Sequence, residues 1–244
     1  MADPREQAAP AAQQGAQQGA QRQSPPQQGA PQRQEAPATR KERTRRRLAE
    51  TATRLFTERG FDLVTVAEIA EAAGVTEKTV FNHFKAKEDL VYGDDDAFET
   101  ALLDCVRARP EGESALGAVR RFLLDRYGRM AFDADRRGRA QALAAIVTGS
   151  PTLQARERRI HARYADALCE LITAEEHADP TDIRPRITAE ALLTVHRGSI
   201  ASVRAAILAG VPDDELPGRA ITTLRTGLDL LAHGLDDYAV RTGG

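Results

Sequence analysis

Glu77, Lys78, Phe81 and Asn82 recur at i, i+1, i+4 and i+5, so a helix through them carries all four on one stripe. Each suits the edge of a base. The Asn82 amide pairs with adenine through two hydrogen bonds, and the Lys78 ammonium donates to guanine. Glu77 accepts from cytosine, and Phe81 packs on a thymine methyl. The plain alternative is a solvated face, with Glu77 stabilising the dipole in the first turn of its helix. Other chemistry is scarce. The histidines are His83, His161, His177, His196 and His233, with Glu157 four residues before His161 and Glu175-Glu176 beside His177. A di-iron bundle needs paired Glu-x-x-His motifs, which this pattern lacks. No phosphate-binding glycine loop, nucleophile elbow or zinc spacing occurs either. The expectation is therefore no catalytic residue, no metal, no cofactor and no enzyme.

A usable stripe needs two elements to hold it. Thr65 followed by Glu68 is a capping box, with Val64 and Ile69 placed as a hydrophobic staple. A short helix thus starts at Val66 and ends before Gly74, a turn glycine. Thr76 caps a second helix of two to three turns. Ala70 sits where the two helices cross. Ile69, Ala73, Val75, Val80 and Phe84 form a core shared with a helix upstream, leaving the stripe outward. That upstream helix runs from about Lys41 to Arg59, its apolar residues Leu48, Ala52, Leu55 and Phe56 at helical spacing before the stop at Gly60. Its first half is basic: residues 40–47 hold six basic side chains and one acid. By itself a pair of short helices is equally a piece of a bundle. The flanking charge separates the readings.

The net charge of the chain is only -2, so any contact with nucleic acid rests on where charges sit. Residues 40–91 hold eleven basic and nine acidic side chains, the basic ones gathered at both ends, including Lys85 and Lys87. Residues 1–38 differ from the rest. Gln, Ala, Pro and Gly fill 30 of these positions, and no Val, Ile, Leu or aromatic residue occurs among them. Such a segment cannot bury enough surface to offset its ordering entropy, so a disordered tail is expected. Cys105 and Cys169 lie in no metal or disulfide pattern, and no apolar run or secretory leader is present, which points to the cytoplasm and away from membranes.

The run from Arg45 to Val91 resembles the DNA-binding domain of the TetR family of bacterial regulators. The residues that carry it are Leu55-Phe56, Gly60-Phe61, Thr65-Val66, Ile69-Ala70, Ala73-Gly74-Val75, Phe81-Asn82-His83-Phe84 and Lys87-Glu88-Asp89-Leu90. The resemblance implies a recognition helix at Thr76–Phe84, with Thr76, Lys78, Thr79, Phe81, Asn82 and His83 facing DNA and Thr65 near a phosphate. His83 has an alternative use in bonding the backbone. Family members usually carry tyrosine where this chain has Phe81. Arg45, with Arg43, Arg46 and Arg47, is expected on phosphates, and Lys87 is expected to clamp one at a helix start.

The rest of the chain is helical in pattern, giving an all-α fold of about nine helices: a DNA-binding domain at 39–91 and a helical ligand-binding and dimerisation domain at 92–244. A fourth helix is expected over Lys87–Arg107, followed by helices near 113–131, 136–147, 151–177, 186–209 and 216–241. Two last stripes, Leu192, Val195, Ser199, Val203 and Ile207, then Leu224, Leu228, Leu231 and Leu235, serve either a homodimer interface, as the resemblance implies, or the internal core. Small residues, Gly227 among them, permit close contact there. By resemblance the ligand pocket is lined by Phe98, Leu102, Phe122, Tyr127, Met130, Leu143, Ile146, Tyr164, Leu168 and His196, an apolar set that suits a lipophilic molecule. The expected function is a repressor released from a palindromic operator by a small ligand. The alternative is a DNA-binding regulator controlled by a protein partner.

Overall fold

In the computed structural model, which describes residues 39–130, 134–235 and 238–240, the architecture is all helix. The expected disordered tail at 1–38 lies outside the described residues. Ten helices follow one another: α1 (Arg40–Arg59), α2 (Val66–Ala72), α3 (Glu77–His83), α4 (Asp89–Tyr92), α5 (Asp95–Arg107), α6 (Ala115–Met130), α7 (Ala134–Thr148), α8 (Pro151–Glu175), α9 (Arg184–Leu208) and α10 (Leu216–Leu235). Among the described residues there is no strand, only an isolated bridge between Ser114 and Val240.

Local sequence explains most boundaries. Thr39 and Glu42 form a capping box that starts α1, and Thr65 and Glu68 form the one that starts α2. Ser150 caps α8 ahead of Pro151, whose missing N–H falls where a helix has no use for one. The expected single helix over Lys87–Arg107 is broken. It divides into α4 and α5 at Gly93, because the Gly93 carbonyl accepts from the Arg45 guanidinium at 2.8 Å. A Cβ on Gly93 would lie 2.7 Å from the Asp89 backbone carbonyl and 2.6 Å from that Nη2 atom, and the backbone contact is the one that cannot give way, so the position favours glycine. The last helix also ends sooner than expected, at Leu235. Residues 238–240 are instead held by Arg109, which is 1% exposed. Its guanidinium donates to the carbonyls of Val106, Glu113 and Ala239 and pairs with Glu175 at 2.7 Å.

Two apolar cores form. The larger unites α5, α6, α8, α9 and α10 through Leu102, Val106, Leu123, Leu168, Leu192, Leu224 and Leu228. The smaller unites α1–α4 through Leu48, Phe56, Phe61, Ile69, Val80, Phe84 and Leu90, and it also takes in Ile146, Val147 and Leu153 from the α7–α8 corner. The stripes of α9 and α10 lie largely inside this one chain: Leu192, Ser199, Val203, Leu224 and Leu228 are all buried. Gly227 allows that packing, since a Cβ there would stand 2.7 Å from Val195 Cγ1. Among the described residues no helix is long and apolar enough to cross a membrane, and no group of three or more His, Cys, Asp or Glu gathers as a metal site.

Candidate nucleic-acid interface and cavity

The α2–α3 turn forms as its residues dictate. Gly74 takes φ +64°, the left-handed region that favours glycine, and the Val75 N–H returns to the Ala70 carbonyl at 2.9 Å. Ile69, Ala70, Ala73, Val80 and Phe84 are buried, which fixes one side of α3. The Thr76 hydroxyl accepts from the Thr79 N–H at 3.2 Å and caps α3. Glu77, Lys78, Phe81 and Asn82 are all exposed on the opposite side, with Thr79 and His83 half-buried at its margins. Phe81 is 50% exposed, a large apolar side chain with no internal partner face. At α2 the Glu68 carboxylate accepts from the Thr65 N–H and hydroxyl, and with Arg59 2.8 Å away its pKa falls to about 2. Thr65 Oγ1 therefore donates to Glu68 and accepts from the Glu68 N–H.

Two basic residues expected on phosphates are engaged elsewhere. Arg45 Nη1 donates to the His83 carbonyl at 2.6 Å and Nη2 to that of Gly93, while the guanidinium lies 4.3 Å over the Phe84 ring. It ties α1 to the end of α3 and to the α4–α5 break. Lys87 Nζ donates to the carbonyls of Phe61 and Val64, each at 2.8 Å, and stands 4.1 Å over the Phe61 ring. Partial burial lowers its pKa. Both placements, in the protein without DNA, have one cause. A cation held between backbone carbonyls and an aromatic face gains charge-assisted hydrogen bonds and a cation–π contact together. Lys87→Met is expected to lower the stability of the uncomplexed protein by about 1–3 kcal/mol, because the Val64 carbonyl loses the ammonium and the Phe61 carbonyl keeps only the Val64 N–H at 3.3 Å. Thermal melts without DNA check this; an unchanged melt with weaker DNA binding would restore the phosphate assignment. Arg43, Arg46 and Arg47 remain exposed along α1. Arg46 pairs with Glu50 at 2.8 Å, an exposed contact weak enough to exchange for a phosphate. His83 has its Nδ1 enclosed without a hydrogen-bond partner, and burial lowers its pKa.

A cavity of about 710 Å³ lies between α4–α9, within the size range of ligand sites. Phe98, Tyr127, Tyr164 and His196 line it as expected, as does Leu143. Phe98 is stacked on His196 at 4.7 Å and meets Tyr164 at 5.0 Å. The wall is more polar than the sequence suggested: it includes His161, Arg126, and a half-buried pair in which Arg204 donates to both Glu157 oxygens at 2.8 and 3.1 Å. Burial, with His161 and Arg126 nearby, pulls the His196 pKa down to about 3. The sign follows. The unfolded chain binds the proton near the ordinary value of 6.5 and the folded chain resists it, so this burial destabilises the fold progressively as pH falls from about 6.5 toward 3. His196→Phe is expected to flatten that part of the stability–pH curve in urea melts; an unaltered slope would contradict it.

A sequence model of bacterial regulatory proteins of the tetR family matches residues 48–92, the segment from mid-α1 to the end of α4. The HTH-type transcriptional regulator TcmR of Streptomyces glaucescens is 32% identical over 160 residues, covering 64% of this chain and 70% of that protein. This chain belongs to the tetR family. Solved structures agree at the level of fold. NalD, the secondary repressor of the MexAB-OprM multidrug efflux pump in Pseudomonas aeruginosa, superposes with a TM-score of 0.54 at 22% identity, covering 80% of this chain and 98% of that one. The SmeT–triclosan complex, SmeT being the repressor of the Stenotrophomonas maltophilia efflux pump SmeDEF, gives 0.53 at 16% identity, covering 83% and 96%.

As a member of the tetR family the chain is a transcriptional regulator with a DNA-binding helix-turn-helix, α2–α3. The cavity departs from expectation at named positions. Ile146 does not line it; it is buried in the α1–α4 core. Leu102 and Leu168 are closed inside the larger core, and Phe122 stands behind Phe98 at 5.6 Å. The side chain of Met130 lies outside the described residues. Sequence reasoning missed His161, Glu157, Arg204 and Tyr92. For His161 a signal existed: it precedes Tyr164 by three and Leu168 by seven, the spacing of one helix face.

Proposed function

We propose that this regulator is a repressor that binds a palindromic operator as a homodimer and leaves it when a small molecule fills the cavity. One observation carries the release step. Val91, Tyr92, Leu143 and Val147 both wall the cavity and pack in or against the core that holds α2 and α3. A ligand that shifts this wall therefore acts on the DNA-reading unit directly, through a shared packed surface. The unit expected at 39–91 thus depends on Ile146, Val147 and Leu153 from the domain expected at 92–244. NalD and SmeT, repressors of the same fold, support the direction of control, and triclosan bound to SmeT supports a small-molecule effector.

Dimerisation through α9 and α10 needs a face other than the apolar stripes, which serve the internal core. Gly198, Ala201, Ala205 and Leu208 on α9 are exposed, as are Thr222, Thr226 and Leu230 on α10. Leu230 is 81% exposed. Small residues at helical spacing let two such faces approach closely, and two half-sites supply the affinity that one short helix lacks. The thiols of Cys105 and Cys169 are unpaired, in keeping with a reducing cytoplasm.

The test begins with selection of bound duplexes from random DNA by the full chain, followed by light scattering to count subunits. Compounds that calorimetry finds in the cavity are then titrated against the operator complex by fluorescence anisotropy. The expected result is release, with the compound binding more weakly when operator is present by the same factor, as linkage requires. Occupied cavities with unchanged operator affinity would favour control by a protein partner instead.

A further inference from the structure

His161 is 7% exposed and His196 is 5% exposed, and both rings line the cavity, 5.6 Å apart between centroids. His161 Nδ1 lies 2.9 Å from the Glu157 carbonyl, one turn earlier on α8. A carbonyl has no hydrogen to give, so Nδ1 carries the proton. A neutral imidazole has one N–H, which leaves Nε2, on the side of the ring away from the helix backbone, as an acceptor. That atom has no hydrogen-bond partner, and neither has His196 Nδ1. Burial lowers the pKa of both rings, so neither is a cation that an acidic ligand could neutralise. Most other charges in the wall are in ion pairs, Arg204 with Glu157, Arg139 with Asp94, and Asp95 with Arg163, while the Arg126 guanidinium lies 5.0 Å over the Phe98 ring.

We propose that the effector is a neutral aromatic hydroxy compound whose hydroxyl donates to His161 Nε2 while its ring lies among Phe98, Tyr164 and His196. The proposal rests on the reading of the cavity as the effector site. A hydroxyl fits because it donates to His161 Nε2 and keeps lone pairs that can accept from His196 when that ring's Nδ1 carries the proton. An ether only accepts, and would leave His161 Nε2 unpaired. A carboxylate only accepts as well, and would lose its hydration among neutral rings. The aromatic component follows from the wall, where Phe98, stacked on His196 at 4.7 Å, and Tyr164 form an aromatic cluster that a further ring can join.

Calorimetry on the full chain with 2-naphthol, 2-methoxynaphthalene and 2-naphthoate at neutral pH tests the inference. 2-Naphthol is expected to bind about tenfold more tightly than its methyl ether, the ordinary effect of one buried hydrogen bond, and more tightly than the carboxylate. In His161→Phe the preference for naphthol over the ether falls to within about twofold, and His161→Gln, which keeps an acceptor oxygen, restores part of it. Melting curves establish that each variant is folded, and the selectivity of the unaltered protein tests the proposal without any variant. Equal affinity for naphthol and the ether overturns the donor, while the cavity reading stands. Tightest binding of 2-naphthoate overturns neutrality and implicates Arg126. Binding of none of the three overturns the ligand class, whereas the cavity reading itself fails only if no compound that occupies it weakens operator binding.

Discussion

Arg45→Ala is expected to destabilise the protein by about 2–4 kcal/mol in the absence of DNA, because a charged donor to two carbonyls is lost together with its aromatic seat. For a folded unit of this size the melting temperature should fall by roughly 5–15 °C. Arg45→Lys is expected to rescue little. An ammonium cannot span the carbonyls of His83 and Gly93 as the forked guanidinium does, with Nη1 at 2.6 Å from one and Nη2 at 2.8 Å from the other. The operator affinity of the surviving folded variant falls because the end of α3 loosens. Its salt dependence stays, since no phosphate contact is removed. A phosphate-bound arginine gives the reverse pattern: an unchanged melt and a salt slope lower by about one per half-site.

The second large effect falls on DNA. Asn82 is exposed on α3 one turn beyond Lys78, and its amide offers the donor and acceptor pair that adenine matches. Asn82→Ala is expected to cost about 1–3 kcal/mol per half-site, and so about 2–6 kcal/mol for a dimer on a symmetric operator. The stability of the uncomplexed protein should not change, because the side chain packs against nothing internal. The decisive measurement is anisotropy against a set of operators altered one base pair at a time. The variant should become indifferent to one symmetric position while keeping its preferences elsewhere. A uniform loss across all operators would make Asn82 a backbone contact. Lys78→Ala in the same assay should relax a neighbouring position.

These expectations differ in kind from Lys87 and Arg45, although all four residues looked alike as polar residues near one motif. The difference is tertiary. Asn82 and Lys78 were legible because the buried side of α3 is written in Val80 and Phe84, so the outward side follows by helical geometry alone. Arg45 and Lys87 meet carbonyls 38 to 48 and 23 to 26 residues away in sequence, partners that no local pattern names. The same reason divides the cavity. Phe98, Tyr127, Tyr164 and His196, which the family resemblance put in the pocket, do line the cavity, whereas Ile146 lies elsewhere because the α7–α8 corner turns it toward α1.

Capping boxes, the Gly74 turn and helical periodicity are local properties, set by side chains within about four residues of one another. Composition and order of residues alone therefore determined an all-helical chain, the boundaries of α2 and α3, the stripe that faces outward and the family. Long-range contact decided the rest. It set which cations stay available to a ligand, where Gly93 divides a helix, which face of α9 and α10 remains uncovered, and how two imidazoles in one wall each keep a ring nitrogen without a partner. Those outcomes depend on backbone carbonyls and rings brought together from distant segments, and such meetings exist only once the chain has packed.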